Sequence, residues 1–249
     1  MTTLGMPKVR TVTTDRMIVW QGPSALDGSP IMVIATGAHP VGSRAKSSSN
    51  EKTGNMIQIT IMRSDVNPTQ ALKDGLDVAV CGNCPHRSKA SGGVGDCYTH
   101  KNLRRGFAQT STWKAHDENG SLPFDLERFR GRRVRFGAYG DPAAVPFEVW
   151  SEIASVASGF TGYTHQWATT DPRFAELFMA SADSEQDEID SNHKGYRAFR
   201  IRLADQPKLK GEIVCPSSDE AGNKTDCATC LQCSGTALGR KLNIVIIKH

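Results

Sequence analysis

The sequence contains no long apolar run. No segment approaches the roughly 18 consecutive apolar residues that a membrane-spanning helix requires. The first twenty residues also lack the apolar stretch of roughly 7 to 15 residues that a signal peptide carries. We therefore expect a cytoplasmic protein that has no membrane partner.

Charge of one sign and aromatic side chains are also scarce. The 30 basic and 26 acidic residues leave a formal net charge of +4, and aromatic residues make up 7% of the chain. Proteins that bind nucleic acid by charge carry a larger basic excess, and single-strand binders stack bases on aromatic rings. The composition therefore argues against binding to nucleic acid by charge alone. With 38% hydrophobic residues, the chain is able to bury the core of one domain.

Cysteine, by contrast, is plentiful. The chain has seven cysteines, an odd number, and disulfide frameworks belong to oxidising compartments that this sequence gives no sign of reaching. Metal binding is the better explanation. The cysteines form two groups, which are Cys81, Cys84 and Cys97 in "CGNCPHRSKASGGVGDCYTH" (81–100), and Cys215, Cys227, Cys230 and Cys233 near the end of the sequence.

The second group provides four thiolates, enough for a closed tetrahedral zinc site or for an iron-sulfur cluster. The spacing of Cys227, Cys230 and Cys233 is C-x2-C-x2-C, which is typical of ferredoxin-type cluster loops, whereas zinc ribbons use two separated pairs. The spacing favours a cluster. A zinc knuckle that pins the end of the chain is the alternative.

The first group provides only three thiolates. His86 or His100 would complete a Cys3His zinc site. The alternative is a 4Fe-4S cluster held by three cysteines, with its fourth iron open to a substrate or cofactor. The second interpretation turns a structural site into a reactive one.

Short apolar runs alternate with helical patterns along the chain. Residues 17–20 and 31–36 predict a β-hairpin, and the polar stretch 42–55 predicts an exposed loop. Later strand and helix patterns predict a mostly parallel sheet, forming a partial or complete (β/α) barrel. The predicted organisation is one compact unit: an N-terminal β ribbon and loop (1–55), a barrel core (56–210), and a cysteine-rich segment with a final strand (211–249).

Polar clusters follow several predicted strands. They are "YGDP" (139–142), "THQW" (164–167) and "SADS" (181–184). Ligands bind at the carboxyl ends of parallel strands in α/β proteins, so we expect a site there.

These features together resemble the radical S-adenosylmethionine (SAM) superfamily, in which a three-cysteine loop follows an early barrel strand. Cys97 is followed by Tyr98 in the form "DCYTH", which is similar to several branches of that superfamily. The usual spacing there is C-x3-C-x2-C, whereas this chain has C-x2-C-x12-C. The cysteine-rich C-terminal segment resembles the auxiliary clusters that many of these enzymes carry.

The resemblance implies a set of cofactor ligands. Gly140 and Asp141 correspond to the segment that binds the methionine amine of SAM, and Ser181 and Ser184 to the strand that binds its ribose. Asp141 equally suits a turn or helix cap, and Ser184 a helix cap.

Three further residues are candidates for the same cofactor. His165 and Gln166 are candidates for contact with adenine or substrate, although a core histidine is the common alternative. One of Arg197, Arg200 and Arg202, which lie along one predicted strand, is expected to bind the SAM carboxylate. The sequence does not decide among the three, and Arg200 is the one named as the candidate. The basic run 128–135 is able to meet phosphates, but a solvated face is the more frequent explanation.

Residues 52–249 also resemble a group of phage and plasmid proteins, through blocks such as "CGNCPHR", "YGDPAAVP" and "KTDCATCLQC". The two resemblances imply a radical SAM enzyme with two 4Fe-4S clusters. Its expected reaction is isomerisation or rearrangement of a nucleotide or DNA base, in the host cytoplasm if a phage encodes it. Its expected electron donor is a flavodoxin or ferredoxin. The alternative is a zinc-stabilised nucleic-acid-binding protein of phage or plasmid replication.

Overall fold

The computed structural model describes residues 15–100 and 108–248. The first fourteen residues of the predicted N-terminal ribbon lie outside the described residues. So do residues 101–107 of the helix that the sequence predicts over 100–116.

The first sheet has five strands. Apolar residues dominate them, and β2 and β3 bury both faces, as their near-continuous runs of Ile, Val and Met predict. Strands β1, β2 and β3 pair antiparallel, whereas β3, β4 and β5 pair parallel. The strands are β1 (Met17–Pro23), β2 (Pro30–Thr36), β3 (Ile57–Arg63), β4 (Arg133–Tyr139) and β5 (Gly159–Thr161).

The second sheet has five strands that are all parallel, in the order β6, β7, β8, β10, β9. Gly162 alone separates β5 from β6, so one stretch of chain pairs with β4 in the first sheet and with β7 in the second. The strands are β6 (Tyr163–Thr164), β7 (Met179–Ala182), β8 (Ala198–Arg202), β9 (Glu212–Val214) and β10 (Asn243–Ile247).

The prediction of a mixed α/β protein with parallel sheets is confirmed. The option of a complete barrel is wrong for the described part of the chain. There, the only strand that pairs with β1 is β2 and the only strand that pairs with β9 is β10, so the two outer strands never meet. To close a barrel, another strand would have to pair with the outer edge of β3. The antiparallel ribbon of β1 and β2 already occupies that edge, through β2.

Helices connect the parallel strands. The sequence has helical patterns at 69–75, 100–116, 144–159 and 184–193, which correspond to α1, the described part of α3, α4 and α6. The single-turn helices α2, α5 and α7 are not predicted. The helices are α1 (Pro68–Lys73), α2 (Val78–Cys81), α3 (Ala108–Asn119), α4 (Phe147–Val156), α5 (Phe174–Leu177), α6 (Glu185–His193) and α7 (Cys227–Cys230). Among the described residues, none of the helices has the length and apolar character needed to cross a membrane.

Helix α4 packs over the point where the two sheets join. Its Trp150 is fully buried, with its ring centroid 5.3 Å from that of Phe136 in β4 and 6.1 Å from that of Phe178. Burial of such rings contributes about 1.5 to 3 kcal/mol each. The Trp150 indole also donates to the carbonyl of Pro142 at 3.0 Å, which ties the core to the turn after β4.

Candidate functional site: a cavity lined by all seven cysteines

One cavity of about 470 Å³ is lined by both cysteine groups. Its wall includes residues at the carboxyl ends of parallel strands, among them Gly140 after β4, His165 after β6, Ser181 in β7 and Lys248 after β10. The sequence predicts a site at these strand ends, and the structure brings the cysteines of distant segments to the same place.

The three-cysteine loop folds back on itself. Cys81 ends α2, and the amide of Cys84 donates to the carbonyl of Cys81 at 3.1 Å. The amide of Cys97 then donates to the carbonyl of His86 at 3.1 Å. The twelve residues between Cys84 and Cys97 therefore form a loop that brings the Cys97 thiol back towards Cys81 and Cys84.

The four-cysteine group is held by two other parts of the chain. The amide of Cys227 donates to the carbonyl of Lys52 at 2.9 Å, so the polar stretch 42–55 packs onto α7. The amide of Cys215 donates to the carbonyl of Val245 in β10 at 2.9 Å. Cys215 and Cys227 are thereby tied to β10 and to the polar stretch 42–55.

The thiols sit in a dry environment. Burial raises the pKa of Cys81, Cys97, Cys215, Cys227 and Cys233 above the ordinary thiol value. Without a metal these thiols keep their protons at neutral pH, so metal binding must release protons. For Cys227, the nearby cations Arg135 and Lys52 oppose the effect of burial.

Within the described residues, one group of three ligand atoms lies within 4.8 Å of one another, and it contains no cysteine. The choice between zinc and an iron-sulfur cluster therefore rests on the spacing of the cysteines along the sequence and on the cavity that they share.

Asp141 and Gly140 form the turn that follows β4. Gly140 has a φ of +81°, and a Cβ there would lie 2.8 Å from the carbonyl oxygen of Ile61 in β3. The Asp141 carboxylate accepts from the amide of Ala143 at 3.0 Å and from the amide of His165 at 2.8 Å. Asp141 therefore caps the following turn and links two strand ends, and it also lines the cavity.

Burial raises the pKa of the Asp141 carboxyl, although the amides of Ala143 and His165 oppose that effect.

The two predicted ribose ligands are placed differently. Ser181 lines the cavity. Ser184 is the N-cap of α6, where its hydroxyl accepts from the amide of Asp187 at 3.1 Å. Ser184 is not part of the cavity wall.

Gln166 and Arg200 also lie outside the cavity wall. The Gln166 side chain is buried and donates to the carbonyl of Cys81 at 3.2 Å. Arg200 is 1% exposed and makes a bidentate ion pair with Glu212, at 2.6 and 2.9 Å. The Arg200 guanidinium is therefore engaged in an ion pair in the protein interior and does not face the cavity.

Among the described arginines, Arg135 is the one that lines the cavity, and the sequence analysis includes it only as part of the basic run 128–135. It donates to the hydroxyl of Tyr98 at 2.6 Å. The alternation of β4 was the available signal, because Val134 and Phe136 point into the core and Arg135 must point the other way.

A charged network lies at the edge of the cavity. His86 makes contacts of 2.6 Å to Asp96 and 2.9 Å to Asp183, and the Nε2 atom of His165 lies 3.3 Å from Asp183. Lys248 donates to Asp96 at 2.7 Å. No local sequence pattern indicates the pairing of Asp96 with Lys248, since 152 residues separate them.

The network shifts the ionisation of its members. The hydrogen bond to Asp183, with help from Asp96, raises the pKa of His86 to about 9. Burial lowers the pKa of His165, but Asp183 and Cys84 outweigh it and raise that pKa to about 10. Lys248, followed by His86, lowers the pKa of Asp96 to about 2.

We compared the chain with known proteins to see whether this arrangement recurs. No family model, curated protein or solved structure matches it. The radical SAM resemblance therefore stays a prediction that rests on the motifs, and the geometry of the cavity is the independent support for a function.

Proposed function

We propose that the protein is a radical SAM enzyme with two iron-sulfur clusters. The observation that carries the proposal is that the three-cysteine and four-cysteine groups line one cavity, at the carboxyl ends of parallel strands. A zinc site that only stabilises the fold has no need to face a cavity of ligand size, about 300 to 1,000 Å³. Metal centres held by two cysteine groups on one cavity would be accessible to a ligand in that cavity, as catalysis requires.

The strand order supports a partial barrel of the radical SAM kind. From β3 through β4, the β5 and β6 segment, β7, β8 and β10, neighbouring strands are parallel. In this proposal β1 and β2 form the N-terminal hairpin beside it. The three-cysteine loop follows β3, the first of the parallel strands.

The cysteines fit the proposed clusters. Cys81, Cys84 and Cys97 would hold a 4Fe-4S cluster with one open iron, and the four C-terminal cysteines would hold a second. The C-x2-C-x2-C spacing of Cys227, Cys230 and Cys233 is typical of cluster-binding loops. When bound, the first cluster and SAM together supply a 5′-deoxyadenosyl radical, and the protein binds, orients and shields them.

The cofactor ligands are proposed on the cavity wall. Gly140 and Asp141 would bind the SAM ammonium group, because the carboxylate retains lone pairs beyond the two amides that it accepts. Ser181 would bind the ribose. Arg200 and Ser184 are left out of this proposal, since an ion pair and a helix cap use their polar groups.

The cavity also suits a nucleotide or base as substrate. Its wall includes Tyr163 and Phe199, whose ring centroids are 4.9 Å apart, and the cations Lys52 and Arg135. Aromatic rings stack on bases, and cations bind phosphates. A DNA base would have to leave the duplex to enter. We propose isomerisation or rearrangement of such a base in the cytoplasm, with a flavodoxin or ferredoxin as electron donor.

The proposal is tested by anaerobic reconstitution with iron and sulfide. We expect roughly eight irons per chain from two four-iron clusters, and release of 5′-deoxyadenosine when the reduced protein receives SAM. A chain that binds one or two zinc ions, takes up no iron and leaves SAM intact would instead be the zinc-stabilised nucleic-acid-binding protein.

A further inference from the structure

A group of metal-binding side chains without cysteine lies at the edge of the cavity. It consists of His86, His165 and Asp183. His86 comes from the three-cysteine loop, His165 follows β6 and Asp183 follows β7. Because β6 and β7 are paired parallel neighbours, their ends deliver the last two side chains to one place.

Two contacts in this group are as short as those between neighbouring ligand atoms around one metal ion. The Nε2 atom of His86 lies 2.9 Å from one oxygen of Asp183, and the Nε2 atom of His165 lies 3.3 Å from the other. All three ligand atoms lie within 4.8 Å of one another. Two ligand atoms at about 2.1 Å from an ion, at octahedral or tetrahedral angles, are about 3.0 to 3.4 Å apart.

His86 also has the outer partner that metal-binding histidines usually have. Its Nδ1 atom lies 2.6 Å from Asp96, which in turn accepts from Lys248 at 2.7 Å. A carboxylate on one ring nitrogen fixes the tautomer and orientation of the ring, so that the other nitrogen is presented to a metal. For His86 the presented atom is Nε2, the atom that faces Asp183.

We propose that His86, His165 and Asp183 bind one divalent transition-metal ion, separate from the metal held by the cysteines. Two histidines and one carboxylate are the ligand set of mononuclear non-haem iron(II) sites, which leave coordination positions open. Both histidines line the cavity, so a small ligand in the cavity would have access to the ion. This inference does not depend on the radical SAM proposal.

The test uses Mn²⁺, which favours oxygen ligands over thiolate and so avoids the cysteines. The full-length protein is stripped of metal and titrated with Mn²⁺, and the free ion is followed by electron paramagnetic resonance. We expect one Mn²⁺ per wild-type chain. Asp183→Asn should weaken binding by at least about 10 to 100-fold, the loss that removal of an outer partner alone causes.

Two further variants control for the fold. Asp190→Asn removes an exposed carboxylate from α6 and should bind Mn²⁺ as the wild type does. Asp96→Asn keeps all three ligands and should weaken binding by about 10 to 100-fold. If the wild type binds no Mn²⁺, or if Asp183→Asn binds it equally well, the group is only an ionic network.

The outcome is separable from that of the proposed function. Cys97→Ala should lose the iron of the first cluster and SAM cleavage but keep the Mn²⁺ site. A wild-type chain that binds Mn²⁺ but assembles no cluster would refute the radical SAM proposal and leave this one standing. A chain that cleaves SAM but binds no Mn²⁺ would do the reverse.

Discussion

Glu188→Gln should make the protein more stable at neutral pH. Glu188 in α6 is 4% exposed and lies beside the buried Arg200 and Glu212 pair. Burial, together with the negative charge of Glu212, raises the pKa of Glu188 to about 7. The amide of glutamine has nearly the same shape and carries no charge, so it mimics the protonated acid.

The sign and size of the effect follow from the linkage between protonation and folding. The folded-state pKa lies above the unfolded value of 4.5, so the favourable contribution is complete below pH 4.5 and is lost as the pH rises through about 7. A pKa shift from 4.5 to about 7 corresponds to about 3 kcal/mol in the free energy of unfolding. The pKa of Glu212 is lowered, so its own contribution is lost only below that window.

The assay is the thermal midpoint measured between pH 4.5 and 8. We expect the variant and the wild type to agree near pH 4.5. At pH 7.5 the variant should unfold about 6 to 12 °C higher, as about 3 kcal/mol implies for a chain of this size. The stabilisation that His86 and His165 contribute declines above pH 6.5, because their folded-state pKa values are about 9 and about 10. This decline is the same in both proteins, so the difference between the curves isolates Glu188.

The control is Glu185→Gln, which removes an exposed charge from the same helix. Its difference from the wild type should not change with pH in this way. If the thermal midpoint of Glu188→Gln differs from that of the wild type by the same amount at every pH, Glu188 ionises normally and the reasoning about the buried pair is refuted.

Further predictions concern the cavity wall. Gly140→Ala should lower the free energy of unfolding by at least about 1 to 2 kcal/mol, because alanine is strained at positive φ and its Cβ would meet Ile61; an unchanged denaturation curve would contradict this. Ser184→Ala should cost about 1 kcal/mol through the lost helix cap and leave SAM cleavage unchanged. Ser181→Ala should leave stability unchanged and raise the SAM concentration needed for half-maximal cleavage. If Ser181→Ala instead lowers stability and Ser184→Ala instead weakens SAM cleavage, the roles assigned to the two serines are wrong.

Local pattern was sufficient to predict most strands. The apolar runs in β2, β3 and β10 and the helical spacing of Phe147, Trp150 and Ile153 in α4 correspond to observed elements. These signals come from neighbouring residues, so one sequence contains them. The single-turn helix α7 was missed because its Cys-Ala-Thr-Cys segment depends on contacts with Lys52 and Thr53.

The cavity needed information that local pattern does not hold. Proximity of the two cysteine groups depends on how β10 returns to the middle of the second sheet, between β8 and β9. Arg200 looked available because strand alternation gives a side-chain face but not its partner, and Glu212 lies in another strand. The charged network of Asp96 with Lys248 likewise joins residues that no sequence window contains.

The central claim is that the two cysteine groups have different roles in one cavity. The direct measurement compares Cys97→Ala with Cys230→Ala after identical anaerobic reconstitution, by iron content and by 5′-deoxyadenosine released from SAM. Each variant should keep roughly four of eight irons, but Cys97→Ala should release none, whereas Cys230→Ala should still cleave SAM. Equal cleavage by both variants, or uptake of zinc without iron by the wild type, would contradict the account.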